Sequence, residues 1–131
     1  MHVQVFDNYH QLSREAGRRI AELLTDKPAA VLGLATGGTP YGLYAGMVRL
    51  HRQEGLSVAQ ASSFNLDEYV GLPVGAPESY RSYMQRMLFR HIDLPEENCF
   101  IPDGAAADPK EEVARYALRL AEYSPLDIQV L

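Results

Sequence analysis

Short apolar runs alternate with longer segments of helical periodicity along the whole chain. The first run, residues 3–6, predicts a short first strand. The next segment places five apolar side chains on one helical face: Leu12, Ala16, Ile20, Leu23 and Leu24. Lys27 and Pro28 end this predicted helix, because a residue before proline avoids helical backbone angles. Residues 30–34 are continuously apolar and too few for a helix, so they predict a strand buried on both faces.

The same alternation continues through the middle of the chain. A second helix is predicted to end at Gly55, with a core stripe formed by Leu43, Met47 and either Leu50 or His51. Residues 61–65 predict a third strand, and a loop rich in glycine and proline follows at residues 70–77. A third helix then carries a methionine and aromatic stripe, more typical of core than of a cofactor site: Tyr80, Tyr83, Met84, Met87, Leu88 and His91.

The last third of the chain predicts a short strand, a helix and a final strand. The short strand covers residues 98–101, and Asp108 and Pro109 are suited to the cap and first turn of the fourth helix. The predicted buried stripe of that helix consists of Val113, Tyr116, Ala117 and Leu120. Residues 126–131 are strand-like. Alternating strands and helices of these lengths predict an α/β fold, a Rossmann-like and mostly parallel sheet flanked by helices.

No repeat, linker or low-complexity tract divides the chain, so residues 1–131 form one predicted unit. Because the sequence stops directly on an apolar strand, we expect this unit to be the N-terminal part of a larger, here incomplete, domain. In parallel sheets, ligands bind at the carboxyl ends of the strands. The segments after the second and third predicted strands are therefore the candidates for chemistry.

Composition narrows the class of protein. Of the 131 residues, 47% are hydrophobic, 22% are charged and one is cysteine, which excludes a disordered chain and a disulfide scaffold. The net charge of −5, without a basic cluster, argues against a nucleic-acid partner. No leader-like or membrane-spanning run is visible, so we expect a cytoplasmic protein without a membrane partner.

Cysteine and metal chemistry are not favoured by the sequence. Cys99 follows Glu96 and Glu97, and neighbouring carboxylates make a thiol a weaker nucleophile. The histidines show no spacing typical of a metal site: His2, His10, His51 and His91. We therefore expect neither a metal nor a cysteine nucleophile.

The segment after the second predicted strand is suited to an anion. Residues 33–40 include two threonines and the pair Gly37 and Gly38, and Pro40 fits the first turn of a helix. Free backbone N–H groups at such a helix start can bind phosphate without a lysine. A plain strand-to-helix turn is an equal alternative on the local pattern. The segment matches neither the Walker loop nor the GxGxxG fingerprint.

Two adjacent carboxylates, Asp67 and Glu68, follow the third predicted strand. Side chains alternate in an extended segment, so only one of the two can face a cleft, where a carboxylate could act as a general base. Taken alone, the segment favours two solvated acids. The neighbouring anion loop favours the catalytic interpretation, because both loops would converge on one crevice at the sheet edge.

Three segments together resemble the glucosamine-6-phosphate deaminase family, also called the glucosamine-6-phosphate isomerase group. They are residues 33–40, 64–73 and 77–84, and the likeness extends from the first predicted strand to residue 131. The middle segment is the most specific, since related 6-phosphogluconolactonases usually have Asp-Glu-Arg where this chain has Asp67, Glu68 and Tyr69. A lactonase-type hydrolase stays as one alternative.

The resemblance implies conversion of glucosamine 6-phosphate and water into fructose 6-phosphate and ammonia, in amino-sugar catabolism and without metal or organic cofactor. Asp67 would be the base that moves a proton between C2 and C1, and Glu68 would be a helper or merely structural. The sugar phosphate would be bound by Ala35, Thr36, Gly37, Gly38 and Thr39, where Ala35 replaces the proline or serine frequent in relatives.

The resemblance also implies groups that lie outside this sequence. In the family, a later glycine-rich loop supplies Asp, His and Glu for ring opening, and later basic residues complete the phosphate clamp. We therefore expect a longer parent to be the enzyme, for which a homo-oligomer is possible, and the isolated 131-residue chain to show little turnover. The remaining alternative is a non-catalytic sugar-phosphate-binding fragment or regulatory module.

Overall fold

The computed structural model describes residues 2–131. Its helices are α1 (Tyr9–Asp26), α2 (Tyr41–Glu54), α3 (Tyr80–Met87) and α4 (Pro109–Tyr123). Its strands are β1 (Val31–Leu34), β2 (Ser62–Asn65), β3 (Cys99–Phe100) and β4 (Ile128–Gln129), and two 3₁₀ turns cover Phe89–His91 and Glu96–Asn98. Within residues 2–131, no helix is both long and apolar enough to cross a bilayer.

The four strands form one parallel sheet in the order β3-β2-β1-β4. This arrangement confirms the predicted α/β fold. β1 and β2 pair over their full length, from Val31 beside Ser62 to Leu34 beside Asn65. The chain moves outward from β1 to β3 and then returns to place β4 on the opposite side of β1. The crevice at the carboxyl ends of the strands, next to such a reversal, is where ligands bind in α/β sheets.

The central strand and the first two helices build the core. All four residues of β1 are buried, as their continuous apolar run predicts. α1 and α2 pack together, and their fully buried apolar side chains are Ile20, Leu24, Leu43, Tyr44 and Met47. The predicted helix ends are confirmed: Lys27 follows α1, and Gly55 ends α2 with a φ of 74°, a backbone angle that favours glycine.

Residues 3–6 form no strand in the described chain, so the prediction of a first strand there is wrong. Val3 is 71% exposed and Val5 is 89% exposed. A strand needs a hydrogen-bonded neighbour to persist, and these residues join neither edge of the sheet. The Gln4 side chain instead accepts a hydrogen bond from Arg19 on α1.

The predicted buried stripe of α4 is also wrong. Its members are exposed or only half-buried: Val113, Tyr116, Ala117 and Leu120. The buried residue of α4 is Glu112, whose carboxylate accepts a hydrogen bond from the Asp103 N–H at 2.8 Å and pairs with Arg115. α4 therefore contacts the rest of the chain through Glu112 and through two tyrosines, since Tyr116 and Tyr123 both pack on the Phe64 ring. Its beginning is as predicted, since Asp108 caps it and Pro109 occupies the first turn.

The stripes of α1 and α3 are confirmed in part. Leu12 is 43% exposed, while Ile20 and Leu24 further along α1 are buried. α3 stops at Met87, and the predicted continuation to His91 is a 3₁₀ turn. Of the α3 stripe, Met84 and Leu88 are fully buried, whereas Tyr80, Tyr83, Met87 and His91 are only half-buried.

The attachment of β4 to β1 predicts a pH dependence of stability. The Lys27 ammonium, at 2.8 Å, and then the Val31 N–H hold the pKa of Asp127 below its ordinary value. A carboxyl whose pKa is lower in the folded state stabilises the fold above its unfolded value of about 3.9, and loses that effect as pH falls through the lower folded pKa.

We therefore expect the urea midpoint of the unaltered chain to fall more steeply from pH 5 to pH 3 than that of Asp127→Asn. Chemical denaturation at several pH values measures both curves. Identical curves for the two proteins would remove Asp127 from the acid sensitivity of the fold.

Candidate functional site

The candidate site lies where β1 and β2 end side by side. Leu34 pairs with Asn65 in the sheet, so the loops that follow leave from adjacent points. The buried Asn65 side chain donates from Nδ2 to the Leu34 carbonyl at 3.2 Å and fixes this junction. The Tyr116 hydroxyl from α4 lies 2.7 Å from the Asn65 carbonyl. Both loops therefore start from a rigid base.

Ala35, the first residue after β1, is held by a buried tyrosine. The Tyr44 hydroxyl accepts from the Ala35 N–H at 3.1 Å and donates to the Ala35 carbonyl. Burial raises the pKa of Tyr44, so its phenol stays protonated at neutral pH. The Ala35 N–H is thus committed to the protein, and any anion bound through backbone amides has to use the residues that follow.

Tyrosine hydroxyls contact the backbone carbonyls of residues 37–39, while the backbone N–H groups of residues 36–39 are free in the described chain. The Tyr83 hydroxyl donates to the Gly37 carbonyl, and the Tyr9 hydroxyl lies 2.9 Å from the Thr39 carbonyl and 3.2 Å from that of Gly38. No backbone N–H of residues 36–39 donates a hydrogen bond to any residue within 2–131. Gly37 has a φ of 112°, which requires glycine in practice. This arrangement can present several N–H donors to one anion.

Asp67 lies in the loop after β2, whose end is adjacent to the end of β1. Its carboxylate is exposed, and it makes no hydrogen bond to another residue within 2–131. The pKa of Tyr80 is raised by its hydrogen bond with Tyr69, then by burial and by the nearby charges of Tyr69 and Asp67, while a hydrogen bond with Thr36 opposes the shift. The loops that carry Thr36 and Asp67 leave the sheet at adjacent points, because Leu34 pairs with Asn65.

Glu68, by contrast, is used by the backbone. One carboxylate oxygen accepts from the N–H groups of Tyr69 at 2.9 Å and Tyr80 at 2.8 Å, and the other accepts from Arg81 N–H at 2.9 Å. A carboxylate at a helix N-terminus also interacts favourably with the helix dipole. This geometry favours the structural one of the two roles considered for Glu68, as the anchor of α3.

Sequence reasoning missed the tyrosines of this site. The spacing of Tyr80 and Tyr83 predicts a core stripe, and the sequence pattern gives no role to Tyr9 or Tyr44. The available signal was the residue type, because a half-buried tyrosine in an apolar stripe needs a partner for its hydroxyl. Four tyrosine hydroxyls, carried by α1, α2 and α3, make hydrogen bonds to the two loops.

The described part of the chain has neither a metal-ligand cluster nor a reactive thiol. Among residues 2–131, no three His, Cys, Asp or Glu side chains are grouped in a way that could hold a metal ion. Cys99 lies on β3, where burial raises the pKa of its thiol to about 11. A thiol with this pKa is a poor nucleophile at neutral pH.

Known sequences match the chain over nearly its whole length. The sequence profile of the family described as "Glucosamine-6-phosphate isomerases/6-phosphogluconolactonase" matches residues 7–131. Glucosamine-6-phosphate deaminases from Bacillus velezensis and Bacillus pumilus are 46% and 43% identical over all 131 residues. Each match covers 100% of this chain and 54% of the relative. The chain therefore spans about half the length of these relatives.

Solved structures match the fold. A monomeric glucosamine-6-phosphate deaminase superposes with a TM-score of 0.95 at 44% identity, over 98% of this chain and 54% of that protein. A 6-phosphogluconolactonase from Thermotoga maritima superposes with a TM-score of 0.71 at 20% identity, over 92% of this chain and 53% of that protein. The second likeness concerns the fold alone.

Proposed function

Since the chain belongs to the family of glucosamine-6-phosphate isomerases and 6-phosphogluconolactonases, we propose that it carries the phosphate loop and the general base of a glucosamine-6-phosphate deaminase. The supporting observation is one juxtaposition. Residues 36–39 present unpaired backbone N–H groups after the end of β1, and the exposed Asp67 carboxylate follows the end of β2, the strand paired with β1. An anion site and a free carboxylate, side by side, suit a phosphorylated substrate that must lose a proton.

The proposed reaction converts glucosamine 6-phosphate and water into fructose 6-phosphate and ammonia. The Asp67 carboxylate takes the proton from C2 of the open-chain sugar, and the C2 electron pair forms the enolamine double bond to C1. The π electrons of the C1 carbonyl move to O1, which takes a proton from water. The same carboxyl returns the proton to C1, which leaves an imine at C2. Water then adds to C2, and the nitrogen leaves as ammonia. The loop of residues 36–39 holds the 6-phosphate during these steps.

The relatives favour a deaminase over a lactonase. The curated proteins at 40–46% identity are glucosamine-6-phosphate deaminases, whereas the solved 6-phosphogluconolactonases are only 16–22% identical. Proton transfer at carbon needs a base that is free to accept a proton. Asp67 meets that condition, and Glu68 does not, because backbone donors occupy both its oxygens.

The activity of the proposed enzyme requires a test in a longer protein. In a chimera, residues 1–131 are continued by the second half of the Bacillus velezensis deaminase, the part beyond the match. We expect this chimera to release ammonia from glucosamine 6-phosphate and the 131-residue chain alone to release little. A folded chimera that opens 6-phosphogluconolactone but releases no ammonia would replace the proposal with the lactonase alternative.

Substitution of Gly38 tests whether residues 36–39 bind phosphate or form a plain strand-to-helix turn. An alanine Cβ at this position meets nothing within 4 Å, and the φ of Gly38 is not positive, so the fold tolerates Gly38→Ala. Its methyl group would nonetheless stand among the free amides. We expect Gly38→Ala to raise the Kd for fructose 6-phosphate about tenfold or more while thermal stability is kept.

An NMR titration of the ¹⁵N-labelled chain with fructose 6-phosphate measures this effect through the Gly37 amide. Gly46→Ala on α2, where added Cβ atoms also meet nothing within 4 Å, is the matched control and should leave the Kd unchanged. A complete lack of shifts at residues 36–39 in the unaltered chain would contradict the phosphate loop.

A further inference from the structure

We infer that Tyr83 and Tyr9 are positioning residues that hold the backbone of residues 37–39 in the conformation that binds phosphate. The inference rests on the proposed function and adds two side chains to it. Neither tyrosine needs to contact the sugar. Each acts through the backbone carbonyls of the loop, and so determines where the amide N–H groups point.

Tyr83 reaches the loop from α3. Its side chain is half-buried and its hydroxyl donates to the Gly37 carbonyl, 46 residues earlier in the chain. Burial, and then the neighbouring Tyr9, raises the pKa of Tyr83, so the phenol remains a donor throughout the neutral range. The Gly37 carbonyl belongs to the same peptide unit as the Gly38 N–H. Fixing one therefore fixes the direction of the other.

Tyr9 reaches the loop from the start of α1. Its hydroxyl lies 2.9 Å from the Thr39 carbonyl and 3.2 Å from the Gly38 carbonyl, and its oxygen accepts from the Gly42 N–H at 2.7 Å. The hydroxyl thus joins the end of the loop to the first turn of α2. Gly42 permits this approach, because a Cβ there would lie 2.5 Å from the Ser13 Oγ and 3.1 Å from Tyr9 Cε1.

The loop has few other restraints between Ala35 and Pro40. Gly37 and Gly38 are exposed, a Cβ at either would meet no atom within 4 Å, and two adjacent glycines are costly to order. Without the two hydroxyls, binding an anion would have to order this segment. With them, the N–H groups are already arranged before the ligand arrives, which improves affinity.

The test measures binding in four ¹⁵N-labelled proteins: the unaltered chain, Tyr83→Phe, Tyr9→Phe and the control Tyr41→Phe. Tyr41 is an exposed neighbour whose hydroxyl makes no hydrogen bond within residues 2–131. Inorganic phosphate and fructose 6-phosphate are titrated separately and followed at the Gly37 and Gly38 amides. We expect Tyr83→Phe and Tyr9→Phe each to raise both Kd values about three- to tenfold, and Tyr41→Phe to leave them unchanged.

A second readout separates positioning from general stability. Hydrogen exchange of the Gly37 and Gly38 amides should accelerate in Tyr83→Phe and Tyr9→Phe, whereas exchange in β1 and β2 should not. Kd values equal to that of Tyr41→Phe in both variants would overturn the inference and leave the proposed function standing. No binding by the unaltered chain would overturn both. Tyr9 is exposed at the surface, so Tyr9→Phe remains informative if Tyr83→Phe fails to fold.

Discussion

Replacing Asp67 with asparagine is expected to lower ammonia release from glucosamine 6-phosphate about 10²- to 10⁴-fold in the chimera, the range typical for loss of a general base. Asparagine keeps the size and the exposed position of the side chain but cannot take the C2 proton. The Asp67 carboxylate makes no hydrogen bond to another residue within 2–131, so the change should leave the fold intact. Steady-state assays of ammonia release give kcat and KM for both proteins.

Two comparisons make this result specific to proton transfer. Glu78→Gln removes an exposed carboxylate from the segment between Asp67 and α3, and it should leave kcat unchanged. The Kd of Asp67→Asn for fructose 6-phosphate should stay within about threefold of the unaltered value, because catalysis and phosphate binding use different groups. A kcat of Asp67→Asn close to that of Glu78→Gln would remove Asp67 from the mechanism.

Gly104→Ala is expected to produce the largest loss of stability, about 3 kcal/mol of the free energy of unfolding, at the upper end for overpacking. Its Cβ would lie 2.0 Å from the Tyr69 carbonyl oxygen and 3.0 Å from the Glu68 Cγ. A backbone atom cannot rotate away as a side chain can. The loop after β2 would have to move away from residue 104, and the hydrogen bond from Gly71 N–H to the Gly104 carbonyl, 2.8 Å long, would be strained.

Urea denaturation measures this loss, with Gly46→Ala as the control. Gly46 lies inside α2, where an added Cβ meets nothing within 4 Å, so alanine should raise stability by up to about 1 kcal/mol. Because Glu68 and Asp67 belong to the displaced loop, Gly104→Ala should also weaken catalysis in the chimera. A Gly104→Ala protein as stable as the unaltered one would show that the loop after β2 moves away from residue 104 without cost.

The central strands could be predicted because their signal is local and redundant. Residues 30–34 are apolar throughout, residues 61–65 follow a helix of clear periodicity, and Gly55 marks the end of that helix. The prediction failed where tertiary partners decide the outcome. Residues 3–6 join no strand within residues 2–131, and α4 buries Glu112 and packs Tyr116 on Phe64 instead of burying the predicted stripe.

The position of the candidate site in the fold could also be predicted from the sequence. The alternation of strands and helices predicts that the loops with residues 36–39 and Asp67 leave the same edge of the sheet. The pairing of Leu34 with Asn65 confirms this placement of the loops, while the roles of their residues stay predictions. The roles of Ala35 and Glu68 depend on hydrogen bonds to Tyr44 and to the start of α3. Such bonds join residues at least nine positions apart, and no spacing rule in the sequence reveals them.

The position of β4 beside β1 also sets the time at which β1 can gain its second neighbouring strand during synthesis. The Val31 N–H donates to Asp127, which is made 96 residues later. At ribosomal rates of about 5–20 residues per second, the β4 side of β1 stays unpaired for roughly 5–20 seconds. An apolar strand with an open edge is a template for pairing with other chains. A nascent chain is therefore exposed to such pairing throughout this interval.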